Sequence, residues 1–457
     1  MKRVLAIASI AIRNAVRSRM VISLLAMLLL AVIGIPLSVQ GDGTLEGHVR
    51  IVIGYTMGFA SALLGLSALW AGALAVSQEI AERQIHLLAA KPVHRFQIWL
   101  GKWLGLMAVN TVLLAASGAA TYGLLRWTTQ PARMEEADRA RLMNDVLAAH
   151  RPVLPVPWDV EPAARQVLAE RVERGEIPSQ MTPGAALQSI RQELLLRTST
   201  IAPGERRDWS FQLPPGSADA SSLNLRYRFS SSQFSLEQVR GLWLVGPPTR
   251  PELIQRSVTN APSVTHELAL PASALSPGNA LSVSYVNNHP SPVTIVFAPE
   301  DGLQIRVPAG PFEGNFARAL LVVLARLAFL TAVGVTMGTL FSVPVAAFMS
   351  MAFVLLLQLS SYVESLARQA ILVPWHGGEA GGPNWVDALF RGFFQGLHFL
   401  LAPLAGPDAL DAAATGLLVD GATLVRVLLV QVVAYGGALA LFGTYVFNRR
   451  ELALPSS

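Results

Sequence analysis

The chain has 457 residues, of which 52% are apolar and only 14% charged. Soluble proteins carry about a quarter charged residues, so the first reading is a membrane protein. Cysteine is absent, which excludes disulfide frameworks, thiolate metal sites and cysteine nucleophiles. The net charge of +5 is not gathered into one basic stripe and comes with no DNA-reading motif, so nucleic acid is excluded as a partner.

In chain order, Lys2, Arg3, Arg13 and Arg17 fall within about 100° of one another on a helical wheel, with Val4, Leu5, Ala8, Ala11, Ile12 and Val16 elsewhere. This predicts an interfacial helix that anchors on headgroups; a disordered basic tail is the other reading. Five uncharged runs then reach the roughly 20 residues needed to cross hydrocarbon: Met20 to Gly41, Ile51 to Gln78, Trp103 to Leu125, Leu327 to Val363 and Val427 to Asn448. The fourth contains 37 residues. Gly338 and Pro344 offer a place to turn, so it divides in two, and its first part begins near Phe316 and carries Arg326. The expected fold is an α-helical polytopic membrane protein with six transmembrane helices and an extracytoplasmic α+β insertion containing a β-sandwich.

Basic residues set the expected orientation. Lys2, Arg3, Arg13, Arg17 and Arg19 precede span one; Arg83, Lys91, Arg95 and Lys102 separate spans two and three; Arg449 and Arg450 follow span six. Both termini are therefore expected in the cytoplasm of a bacterial cell, with the large insertion beyond the inner membrane. The expected division is 1–125 (anchor, spans one to three and their link), 126–205 (a helical outer part), 206–313 (a β-sandwich) and 314–457 (spans four to six with short outer helices). In the helical part, residues 134–150, 161–177 and 182–197 read as three helices, the last with Thr182 as N-cap and Pro183 at its first position. From Asp208 the period becomes two, as in Trp209, Phe211, Leu213 and in Leu223, Leu225, Tyr227, Phe229. Seven to nine strands result, punctuated by turns such as Val286-Asn287-Asn288-His289-Pro290.

The link SQEIAERQIHLLAAKPVHRFQIWLGKWLG, Ser77 to Gly105, is the most specific stretch. Its Glu79, Glu82, Arg83, Leu87, Leu88, Lys91, Pro92, Arg95, Gly101 and Lys102 resemble the cytoplasmic link of type-two ATP-binding-cassette exporter permeases. That resemblance implies a coupling helix docked on an ATPase subunit, with Glu79, Glu82 and Arg83 exposed and Ile80, Leu87 and Leu88 packed. Gln84 and Ile85 stand where the family commonly has Gly-Thr. It further implies cytoplasmic ABC ATPase subunits as partners, a second permease copy (the same chain or a related one), and ATP and magnesium bound by the partner ATPase. No cofactor, metal site or catalytic residue is expected in this chain: G-x-x-x-x-G-K-[ST], G-x-S-x-G and H-E-x-x-H are all absent.

Arg326 lies eight residues after Arg318, about 12 Å deeper in a helix. A charge at mid-bilayer costs at least roughly 2.5 kcal/mol, so Arg326 is the intramembrane candidate unless Phe316 to Arg326 lies flat on the surface. Gly101/Gly105 and Gly334/Gly338 are small-xxx-small pairs that permit close helix approach. The rival reading is a membrane-anchored sensing or scaffolding protein whose outer β-sandwich binds a partner.

Overall fold

The computed structural model describes residues 1–17, 19–39, 45–82, 93–130, 147–177, 183–217, 223–233, 237–298, 302–368, 385–405 and 408–449. It divides into two compact units, Met1–Ala149 with Pro311–Ser457, and His150–Gly310.

The first unit opens with α1 (Lys2–Arg17) and α2 (Met20–Ser38). The short α3 (Leu45–Val49) passes through a π-helical stretch, Arg50–Tyr55, into α4 (Thr56–Ala81), and α5 runs Arg95–Thr128. α2 is apolar on every side, and its Ile22, Leu30, Ile33 and Leu37 remain exposed, as expected of a helix that lipid surrounds.

In the second unit, β1 (Ala149–Val153) precedes α6 (Glu161–Glu173) and α7 (Pro183–Ser199). Strands β2 (Thr200–Ile201), β3 (Arg206–Gln212), β4 (Leu223–Ser231), β5 (Val239–Gly246), β6 (Ile254–Asn260), β7 (Thr265–Leu270), β8 (Ala280–Val286), β9 (Ile295–Phe297) and β10 (Leu303–Gly310) follow. Most of residues 134–150, expected as a helix, lie outside the described residues, but Ala149 and His150 open a strand. Pro152 is the reason: it disfavours helical geometry at Arg151 and continues the chain extended. Thr182 also lies outside the described residues, while Pro183 does begin α7.

One sheet has the order β1-β10-β4-β9-β2 with β7 on β4, and the other the order β3-β8-β5-β6. The first curls at β4: Asn224 to Tyr227 pair with β10, and Phe229 to Ser231 pair with β9. Side chains from both sheets meet in one aromatic core. Trp243 is fully buried, 4.7 Å from the Tyr227 ring and 4.8 Å from that of Tyr285, while Phe297 sits edge-on to Tyr285 at 5.2 Å. Gly241 is required beneath this cluster, because a Cβ there would enter the Tyr285 ring. Asn287, foreseen as turn punctuation, is instead buried, and its Nδ2 donates to Ile201 O, Ala202 O and Val293 O at 3.3, 3.2 and 2.7 Å. The helical and sheet residues form one compact unit.

The first unit resumes with α8 (Phe312–Leu340), α9 (Val343–Gln358), α10 (Ser360–Arg368), α11 (Trp385–Ala405) and α12 (Ala409–Ala414). It closes with α13 (Gly421–Val427), which continues through a π-helical stretch, Leu428–Gly436, into α14 (Gly437–Arg449). Among the described residues, five helical stretches are long and apolar enough to cross a membrane: Val21–Ser38, Gly47–Ala81, Arg95–Thr128, Phe312–Leu340 and Gly421–Arg449. The remaining expected span, the fifth in chain order, falls on the shorter apolar helix Val343–Gln358, which does not reach that length. Its separation from α8 follows the sequence reading, since Phe341 and Ser342 are extended and Pro344 stands in the first turn of α9.

Both glycine pairs serve close packing. Gly72 on α4 meets α8 so tightly that a Cβ would lie 2.9 Å from Val335 N, and Gly334 and Gly338 press on the Leu69 and Ala73 carbonyls. Gly101 and Gly105 receive α1: a Cβ on either would lie 2.7 Å from Ile7 Cβ or Ala11 Cβ.

Candidate functional site

The site is built where α1, the end of α4, the start of α5 and the end of α14 meet. α1 has three faces. Ile7, Ala8 and Ala11 are buried, Leu5 and Val16 are exposed and apolar, and Lys2, Arg3, Arg13 and Arg17 are exposed and basic. The residues expected to anchor at headgroups thus share one outward face of a helix locked onto α5 by Gly101 and Gly105.

The two ends of the link are tied by charge. Lys102, in the second turn of α5, is buried, and its Nζ pairs with Glu79 Oε1 in the last turn of α4, where 13% of the glutamate side chain is exposed. Glu79 was expected to face solvent, and the structure corrects this. A lysine buried at this depth needs a counter-ion, and Glu79 is the carboxylate in reach. Glu82 is exposed and accepts from Gln78 Nε2 at 2.9 Å. Arg83, Leu87, Leu88, Lys91 and Pro92 lie outside the described residues. Arg95, the first residue of α5, places its guanidinium 5.2 Å from the centre of the Phe447 ring on α14, so it joins the third apolar helix to the last. Further up, Trp99 Nε1 donates to Thr336 Oγ1 at 3.3 Å, Thr336 Oγ1 donates to Leu439 O at 3.2 Å, and Trp103 Nε1 donates to Ala328 O at 2.9 Å. The first turns of α5 are thus tied to α8 by hydrogen bonds, and α8 to α14 through Thr336.

Arg326 is the middle residue of α8 (14 residues from Phe312 and 14 from Leu340). The helix is unbroken from Phe312 through Arg326 to Leu340. Arg326 is exposed within a run of buried neighbours and has no ion pair or hydrogen bond among the described residues. It lines a cavity of about 310 Å³ with Ser61, Leu66, Gln358, Asp408 and Gln431. Sequence reasoning missed the two glutamines, although each is a carboxamide in an otherwise apolar run, the kind of residue that marks a polar path through lipid. No group of three or more His, Asp or Glu side chains among the described residues is placed to hold a metal.

Residues 5–140 match the family model of the ABC-2 family transporter protein. The amino-terminal stretch is of ABC-2 type. No curated protein and no solved structure matches the chain. The ABC-2 match takes in α1, α2, α3, α4, the link and α5, hence the Glu79–Lys102 pair and both glycines that seat α1; it does not extend to the second unit or to the cavity residues on α8 and α9. The ABC-2 family consists of membrane subunits of transporters that work with a cytoplasmic ATPase, and the apolar helices agree with a multi-pass membrane protein.

Proposed function

We propose that this chain is the permease subunit of an ATP-driven exporter and couples to a separate cytoplasmic ATPase through the link between α4 and α5. The observation that carries the reading is the ABC-2 match over residues 5–140, which coincides with the segment whose two ends are clamped together by Glu79 and Lys102. A clamped link transmits a push instead of absorbing it, because the ion pair joins the end of α4 to the start of α5 as one lever. Glu82, exposed at the end of α4, and Arg83, Leu87, Leu88, Lys91 and Pro92 form the docking surface; Arg95 passes the motion to α14. Lys2, Arg3, Arg13 and Arg17 hold α1 at anionic headgroups on the same side, so both termini are cytoplasmic and the His150–Gly310 unit lies beyond the membrane as a β-sandwich. Two copies, or this chain and a related one, enclose the path. ATP and magnesium belong to the partner ATPase.

The test is Glu82→Lys in the permease co-purified with its ATPase and reconstituted in vesicles. Glu82 is exposed and accepts from Gln78 Nε2 one turn earlier at the same helix end, so the helix content is expected to stay unchanged while permease-stimulated ATP hydrolysis falls about tenfold, the size of one lost interfacial charge contact. Unchanged hydrolysis would favour the membrane-anchored scaffold, a reading supported by the separate core of the second unit.

A further inference from the structure

The cavity around Arg326 belongs to no part of the coupling apparatus. Its walls come from α4 (Gly58, Gly65, Leu66), α8 (Val322 to Leu330), α9 (Val354 to Gln358) and the Leu428–Gly436 stretch (Gln431). Along α8 it extends from Val322 to Leu330, a rise of about 12 Å, and Arg326 sits at its centre.

The lining is divided in character. Leu66, Val322, Leu330 and Val354 are apolar, whereas Arg326, Gln358, Gln431 and Ser61 supply hydrogen-bond donors. One carboxylate, Asp408, also lines the cavity, and it is not in ion-pair range of Arg326; it accepts from Asp411 N at 3.2 Å as the cap of α12. That segment is fastened to the Phe312 end of α8, where Asn315 Nδ2 donates to Leu417 O at 2.7 Å and Asn315 Oδ1 accepts from Val419 N at 2.7 Å. An arginine midway along a spanning helix, with no anion paired to it among the described residues, is costly unless an anion arrives. A guanidinium flanked by carboxamides matches a phosphate or carboxylate, and the apolar walls match an acyl chain.

We propose that the cavity is a mid-membrane site for the anionic headgroup of a lipid, with Arg326 as its counter-charge and Gln358 and Gln431 as flanking donors, and that the cargo is an anionic amphiphile. The assignment of cargo rests on the permease reading above; the binding step does not, since it needs no ATPase.

The experiment is native mass spectrometry of the full chain in mild detergent with equal amounts of phosphatidylglycerol and phosphatidylcholine. Wild type is expected to retain phosphatidylglycerol about tenfold over phosphatidylcholine, the worth of one charge-assisted set of hydrogen bonds. Arg326→Gln should bring the ratio close to one and Arg326→Lys should keep most of it, both with unaltered circular dichroism. Arg318→Gln, changing another arginine of α8, should leave it in place. The proposal falls if wild type shows no preference or if Arg326→Gln keeps it. It also falls if Arg326→Gln changes only the monomer–dimer ratio in the same spectra, since Arg326 would then pair with a second copy. Loss of lipid preference with ATPase coupling intact, or the reverse, tells the two readings apart.

Discussion

The two units hold themselves together by opposite means. In the helical unit the closest approaches are made by residues without side chains: Gly72, Gly334 and Gly338 bring α4 and α8 into backbone contact, and Gly101 with Gly105 does the same for α1 and α5. In the His150–Gly310 unit the centre is filled by the largest side chains available, with Trp243, Tyr227, Tyr285 and Phe297 packed tilted and edge-on between two sheets. The difference follows from the solvent. In lipid, apolar side chains gain little by leaving their surroundings, so helices associate through dispersion contacts that small residues permit. In water, burying aromatic area is the main driving force.

Removing bulk should therefore damage one unit, and adding it should damage the other. The largest effect is expected from Trp243→Ala, a loss of about 3–5 kcal/mol; thermal denaturation followed by tryptophan fluorescence should show the second unit melting early while the helical signal of the spans persists. Next is Gly334→Ala, whose new methyl would collide with the Leu69 carbonyl at a cost of about 1–3 kcal/mol, read as lowered resistance of the purified protein to denaturing detergent. Leu30→Ala, at an exposed position on α2, should have almost no effect in the same assay.

The smallest effect is a response to acid. Arg171 hydrogen-bonds Glu193 at 2.7 Å across the α6–α7 hairpin and holds its carboxyl below the usual range; partial burial opposes this and Arg197 reinforces it. Glu161 is likewise lowered: burial works against it, but hydrogen bonds from Arg165 and Arg191 outweigh burial. A carboxyl depressed in the folded state contributes stability above its unfolded value, about 4.3 for glutamate, and loses it as pH falls through the folded value. The second unit should thus lose a small part of its stability below about pH 4, and Glu193→Gln should flatten that part of the curve.

The spans were legible because lipid imposes a minimum apolar length, and Pro344 marked the break between α8 and α9. The strands carrying Trp209, Tyr227, Tyr285 and Ile305 were legible because one face alternates with water. β6 and β7 were not read, since IQRSVTN and THELAL place only part of their apolar residues on the core. Ending the expected helix at His150 overlooked Pro152, since Ala149 and His150 open a strand. Partners are the harder loss. Glu79 and Lys102 are 23 residues apart, and nothing in composition or period says that the end of α4 meets the start of α5. Gly334 and Gly338 announced a close contact without naming α4 as the helix received, and Gln358 and Gln431 gave no sign of facing the same void as Arg326.

Where Gly72 of α4 meets Gly334 and Gly338 of α8, backbone lies on backbone, with no knobs to slip past one another. Sliding there would drive a neighbouring side chain into a carbonyl, so these two helices are expected to travel as one strut. Any transport stroke must then hinge elsewhere, and the nearest candidates are the two π-helical stretches, Arg50–Tyr55 and Leu428–Gly436, whose widened turns yield more readily than α-helix.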